Sequence, residues 1–172
     1  MKKGFLILAL LIIATAIFAE TDKMAYIDTD RIMAESPETQ EAQTILLNER
    51  QKWEQEIGEM DTEIQQLYTD YDSKKMILTA SGKQEAETKI TDLQQKRQAK
   101  VEEIFGENGK FAQKQAELLE PILNKLKAVI EKVAVENNFS IIFDAASGGL
   151  LYAKPNMDIT DLVIEEMAKA VE

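Results

Sequence analysis

From Pro37 to about Leu78 the chain has no glycine or proline after its first residue except Gly58, and its apolar residues repeat every seven positions. Leu46, Trp53, Met60 and Leu67 stand seven apart, and Ile57, Ile64 and Tyr71 fill positions offset by three or four. This is a heptad seam, with the first set at d and the second at a, set between faces rich in Glu, Gln, Asp and Lys. Few folds accommodate it. A helix of about 42 residues is about 63 Å long, far beyond the usual globular helix, and its narrow apolar stripe must be covered by a partner. The start of this helix is well marked. Ser36 is the expected N-cap, Pro37 fits the first helical position, and Glu38 complements the helix dipole.

The covering partner is next in the chain. "LTASGKQ", 78–84, carries a turn signal at Ser81-Gly82, and a second long helix is predicted from about Lys83 to Val135. Its seam begins with Ile90 and Leu93 and shifts register near Arg97, as a stutter does in a coiled coil. It then runs through Val101, Phe105, Asn108, Ala112, Gln115, Leu119, Ile122, Leu126, Val129 and Val133. Pro121 lacks an N–H and should kink this helix, and Gly106 and Gly109 make a second soft point. Two helices of similar length joined by a tight turn imply an antiparallel hairpin, an arm that begins and ends in the same place.

The arm's closure brings "KMAYID", 23–28, a strand candidate, beside "FSIIFD", 139–144. "TDRIMAES" between them and the arm is expected to hold a short helical turn. After Phe143, Gly148-Gly149 is expected to turn the chain into a return strand over Leu150–Ala153, making a β-hairpin. Asp158 or Thr160 should cap a closing helix whose apolar face is Leu162, Val163, Met167 and Val171. The predicted fold class is α+β, mostly α. The division is 1–19 as a signal peptide, 20–36 and 137–172 as a β-rich body, and 37–136 as a coiled-coil arm with its tip near 79–83. Three short strands and one short helix are too little for an independent core, and Ile141-Ile142-Phe143 is apolar on both faces. Both features predict an oligomer in which several copies pool their strands. Tyr26, Ile27, Ile141, Ile142, Phe143, Leu151 and Tyr152 are the candidate assembly residues.

Composition removes several classes of function. The chain contains no Cys and no His. Disulfides and thiol nucleophiles are absent, as are the commonest general base and metal ligand. Neighbouring acids such as Glu102-Glu103 and Glu165-Glu166 fall on different helix faces and do not pair. No enzyme, cofactor or metal is expected. The net charge of −11 disfavours general nucleic-acid binding. Residues 1–19, "MKK" followed by an apolar run ending in small residues, have the layout of a secretory signal peptide. Cleavage after Ala19 is expected, with Ala16 as the alternative site and an uncleaved anchor as the other reading. Export would release a chain of charge −13, since Lys2 and Lys3 leave with the signal.

The start "MAYIDTDRIMAESPE", the long coiled hairpin and the end "VIEKVAVENNFSIIFDAASGGLLYAKPNMDITDLVIEEM" together resemble the Skp/OmpH family of periplasmic chaperones. Ile142, Tyr152, Ala153, Asp158, Ile159 and Thr160 stand where the family pattern places such residues. The resemblance covers the whole exported chain. It implies a homotrimer with an oligomeric β-barrel body and three arms enclosing a cavity. It also implies an ATP-independent holdase in the periplasm that binds unfolded outer-membrane proteins and prevents their aggregation. The alternative is a structural coiled-coil spacer or adaptor of the cell envelope that binds one folded partner. A familiar member of the family is basic, whereas this chain is acidic. Lipopolysaccharide binding is not carried over, because its motif has no residue-by-residue match here.

The charge is unevenly spread. Residues 35–72 are net −9, whereas 74–100 are net +4. Lys74, Lys75, Lys83, Lys89, Lys96, Arg97 and Lys100 are therefore candidates for a contact surface at the arm tip, able to meet a membrane surface transiently. The plainer reading is a solvated coiled-coil end. Trp53 is expected in the seam rather than as a client contact, and the scattered methionines as core fillers. Gly106, Gly109 and Pro121 are hinge candidates.

Overall fold

The computed structural model describes residues 22–170. The N-terminal segment read as a signal peptide, and Val171, lie outside the described residues. The element order is β1 (Lys23–Ile27), α1 (Thr29–Glu35), α2 (Pro37–Lys74), α3 (Ala80–Phe105), α4 (Lys110–Glu136), β2 (Phe139–Asp144), a 3-10 turn (Pro155–Met157) and α5 (Thr160–Lys169).

Helix α2 starts as its sequence dictates. The Ser36 hydroxyl accepts from the Thr39 N–H at 3.4 Å and donates to Glu38 at 2.7 Å, and Pro37 takes the first turn. The helix runs 38 residues, about 57 Å. Its seam residues Trp53, Met60, Ile64, Leu67 and Tyr71 are half-buried against the returning chain, and Ile57 is buried. The reversal occupies 75–79, just before Ser81-Gly82. Thr79 caps α3, its hydroxyl accepting from the Gly82 N–H at 3.1 Å. Ser81 and Gly82 thus belong to the first turn of a helix, because a side-chain cap outweighs the turn preference of the dipeptide.

The returning half is two helices, not one. Its seam runs through Ile90, Leu93, Arg97 and Val101, with two successive four-residue steps at Arg97 as a stutter has, and Ile104 is fully buried. The chain then breaks over Gly106–Gly109. A Cβ on Gly106 would lie 2.5 Å from the Glu102 carbonyl oxygen, and one on Gly109 would lie 2.5 Å from that of Ile104. The tight crossing requires glycine at both positions. The break retires Phe105, Asn108, Ala112 and Gln115 from the predicted seam, and all four are exposed. The Phe105 and Phe111 rings instead lie 6.1 Å apart across it. Helix α4 continues unbroken through Pro121, which is exposed, so the interruption falls at the glycines and not at the proline.

The core sits where the arm meets the body. Ile27, Ile32, Ala42, Ile122, Leu126, Val129, Val133, Val163 and Met167 form one buried cluster. Ile122 to Val133 are the amphipathic stripe of α4, so the base of the arm supplies much of the apolar surface that the short strands lack. Strand β1 pairs with β2 in parallel, Met24 opposite Ile141, Ala25 opposite Ile142 and Tyr26 opposite Phe143. The helical arm is the crossover that parallel pairing requires. Asn138 turns the chain out of α4 with φ 57°, the left-handed conformation common just past a helix end.

The predicted β-hairpin is not formed within the chain. After a turn over 145–148, residues 150–154 run without strand pairing. The reason is topological. Asp158 forms a bridge to Tyr26, and the Ile159 N–H donates to the Tyr26 carbonyl at 3.0 Å, on the edge of β1 away from β2. The chain must therefore pass around the end of the sheet, about 10 Å, instead of returning along β2. The free edge of β2 stays open.

Candidate assembly and contact surfaces

The two faces of the small sheet differ. Ala25 and Ile27 of β1 are buried and Ile142 packs on the core, so this face looks inward. The other face carries Met24, Tyr26, Ile141 and Phe143. Ile141 is 46% exposed and Phe143 45%, and nearby in sequence Leu151 is 97% exposed and Tyr152 80%. Of the predicted assembly residues, Ile27 and Ile142 therefore serve the chain's own core. Ile141, Phe143, Leu151 and Tyr152 remain uncovered, and Tyr26 is half-buried on the same outer face.

Polar contacts fix this sheet to the helices. Thr160 Oγ1 accepts from the Asp28 N–H at 3.0 Å and donates to Asp158 at 2.5 Å. Thr29 donates through its hydroxyl to Asp144 at 2.8 Å. Arg31 pairs with Glu35 at 2.8 Å and with Asp161 at 2.6 Å. Glu166 binds Lys132 at 2.7 Å and Lys169 at 2.6 Å, and these two lysines, Lys132 foremost, hold its carboxyl down at about 2. Strands, α1 and α5 are thus tied into one unit before any second copy is involved.

The seven basic residues predicted for the tip divide into groups. Arg97 grips Asp61 with two bonds of 3.0 Å, and Lys100 reaches Glu56 at 2.8 Å. Both pairs join α3 to α2, about 26–30 Å back from the turn. They are cross-arm stitches. Lys74 and Lys75 pair with Asp70 and Asp72 at 3.6 and 2.9 Å. Lys83, Lys89 and Lys96 make no ion pair among the described residues. The most exposed residues of the turn itself, Met76 and Ile77, stand 87% and 85% exposed; sequence reasoning passed over Ile77 and took Met76 for a core filler, which it is not, because it lies in the turn beyond the helix seam. The adjacent apolar pair next to Lys74-Lys75 was the available signal.

At the arm's base, an apolar groove of about 260 Å³ opens between α2 and α4, lined by Ala42, Ile45, Leu118, Pro121 and Ile122. The Lys125–Glu38 ion pair closes its rim. Lys125, then Ser36, lowers the Glu38 carboxyl to about 2. Among the described residues, no His, Cys, Asp or Glu side chains gather in a group that could hold a metal.

An arm of one continuous helix and a broken returning one, rising from a small strand-and-helix body with apolar residues uncovered on its sheet, defines the fold as an arm-bearing one. The chain belongs to the outer membrane protein (OmpH-like) family, whose model matches residues 23–167. The fold is similar to the crystal structure of a protein described as an OmpH-like outer membrane chaperone from Caulobacter crescentus CB15. That similarity has a TM-score of 0.77 at 17% identity, covering 87% of this chain and 85% of the other. An uncharacterized protein of Aquifex aeolicus (strain VF5) is 29% identical over 169 residues, 98% of each chain.

Proposed function

We propose that the chain is an ATP-independent holdase chaperone of the periplasm, a homotrimer whose arms enclose unfolded outer-membrane proteins. The observation that carries this reading is the uncovered apolar sheet face at the foot of a 38-residue arm helix, in a chain of the OmpH-like family. Ile141 and Phe143, with Leu151 and Tyr152, supply the contact between copies, and the open edge of β2 accepts a strand from a neighbour. Pooled strands close into a barrel, which removes the exposed edges. The arms then project together from one body. Half-exposed apolar side chains along them, and the groove beside Ile45, make many weak contacts with a client that stays mobile. The break at Gly106–Gly109 lets the distal arm shift against its base, since α2 alone is continuous there.

The test is the mass of the exported chain by light scattering coupled to gel filtration, alone and with an unfolded β-barrel membrane protein. The expected result is a trimer that takes up the client as a discrete soluble complex. Unchanged client aggregation at a threefold excess of trimer would exclude the holdase. A single folded partner in pulldowns would point to an envelope spacer or adaptor.

A further inference from the structure

We infer that Asn108 is a site of spontaneous covalent modification, where the neighbouring backbone nitrogen converts the asparagine to aspartate and isoaspartate at the break of the arm. The reaction consumes only water. The Gly109 backbone nitrogen gives up its proton and bonds to the Asn108 side-chain carbonyl carbon. The bond from that carbon to the side-chain nitrogen breaks, and the nitrogen takes up a proton and leaves as ammonia. Water then opens the resulting five-membered succinimide at either carbonyl. One opening gives aspartate. The other gives isoaspartate, whose main chain runs through the side-chain carbon.

Sequence and structure single out this asparagine. Of the six asparagines, Asn108 alone is followed by glycine, whose missing side chain lets its nitrogen reach the preceding one most freely. Asn48 and Asn124 lie within α2 and α4, where the following nitrogen is held in the helical ladder. The Asn137 side chain donates to the Val133 carbonyl at 2.9 Å, and Asn138 and Asn156 precede the bulky Phe139 and Met157. Asn108 is exposed in the non-helical stretch between α3 and α4. The Gln113 side-chain amide donates to its backbone carbonyl at 2.8 Å. That carbonyl belongs to the peptide unit whose nitrogen must attack, so the bond stabilises the deprotonated nitrogen. The Gly109 N–H closes only a turn, donating to the Gly106 carbonyl at 2.9 Å. The fold cannot discard this glycine, since a Cβ there would stand 2.5 Å from the Ile104 carbonyl oxygen.

The two products act differently. Aspartate falls just ahead of α4, which starts without a side-chain cap or an acid in its first turn, so the new charge meets the positive end of the helix dipole. Isoaspartate adds a main-chain atom beside Gly109, where the crossing has no room, and displaces the fully buried Ile104. Modification by the second route loosens the distal arm against its base.

Incubation of the chain from Glu20 onward at mildly alkaline pH, followed by tryptic mass spectrometry, tests this. The peptide 101–110 should gain the mass of oxygen replacing NH at least about tenfold faster than any other asparagine-bearing position. Labelling by an isoaspartyl methyltransferase should mark the same peptide. Gln113→Ala should slow the gain about three- to tenfold in the folded chain, the worth of one hydrogen bond, and leave the rate in urea unchanged. Asn108→Asp should match or exceed the Tm of fresh wild type. Aged wild type should fall at least about 2 °C below it, and aged Asn108→Ala should not fall. A rate at Asn108 no faster than elsewhere would overturn the site. An unchanged folded-state rate in Gln113→Ala would overturn the activation by Gln113. An isoaspartate-rich chain with the fresh Tm would overturn the loosening of the arm.

Discussion

Glu38 shows what one residue contributes in this fold. It sits in the first turn of α2, accepts from Ser36 and pairs with Lys125 of α4, so one carboxylate joins cap, dipole and cross-helix contact. Its carboxyl falls from the ordinary 4.5 to about 2. A lowered carboxylate stabilises the fold fully above the ordinary value and loses that contribution as pH falls from about 4.5 toward 2. With its side chain 29% exposed, solvent screening leaves about 1–2 kcal/mol. Lys125→Met should cost about that much in urea unfolding at pH 7, and the difference from wild type should shrink at pH 3. Gly109 is the other residue whose role is sharply defined. Gly109→Ala places a methyl against the Ile104 carbonyl and should destabilise the chain by about 1–3 kcal/mol, read as a lower Tm. Gly58→Ala, where a Cβ meets nothing, should raise stability by about 0.5–1 kcal/mol.

Among the elements, α2 is the spine and α3 and α4 are fitted to it in two pieces. The heptad residues of α2 were legible because a period of seven on a polar background has one physical meaning. The break in the returning half was flagged by its glycines, but its consequence was not. Ile104 goes inside in the register of α3, and a helix that stops at Phe105 and restarts at Lys110 resets its phase, so Asn108, Ala112 and Gln115 go out. Ile104→Ala should therefore cost about 2–5 kcal/mol, since it empties a site with no exposure just before the break. Thermal unfolding followed by circular dichroism checks this, and Phe105→Ala, at a more exposed neighbour, should cost less. The basic stretch shows the same limit. Arg97 and Lys100 read as tip residues by charge, yet their partners Asp61 and Glu56 lie across the arm, a pairing that only the helix register could reveal.

For the whole molecule, the body's core is mostly the arm's own base. Val129 and Val133 of α4, Ile27 of β1, Ile32 of α1, and Val163 and Met167 of α5 are buried in one chain. A single copy thus has a core before any partner arrives. Phe143→Asp, on the outer sheet face, should leave the helical circular dichroism intact while lowering the mass in light scattering from that of the proposed trimer toward a monomer. Unfolding instead would mean that assembly and folding are one event.

The sequence alone determined the long helices, their antiparallel return, the Ser36 start and the meeting of 23–28 with 139–144. Each rests on local chemistry or on a periodicity that few structures satisfy. Tertiary structure alone decided which way the strands run, that the returning helix breaks at Gly106–Gly109 and not at Pro121, and that Leu150–Ala153 stays unpaired in one chain. Those outcomes depend on what stands beside a residue. Asp158 and Ile159 took the edge of β1 because α5 packs under it, and no periodicity in residues 150–153 records that competition.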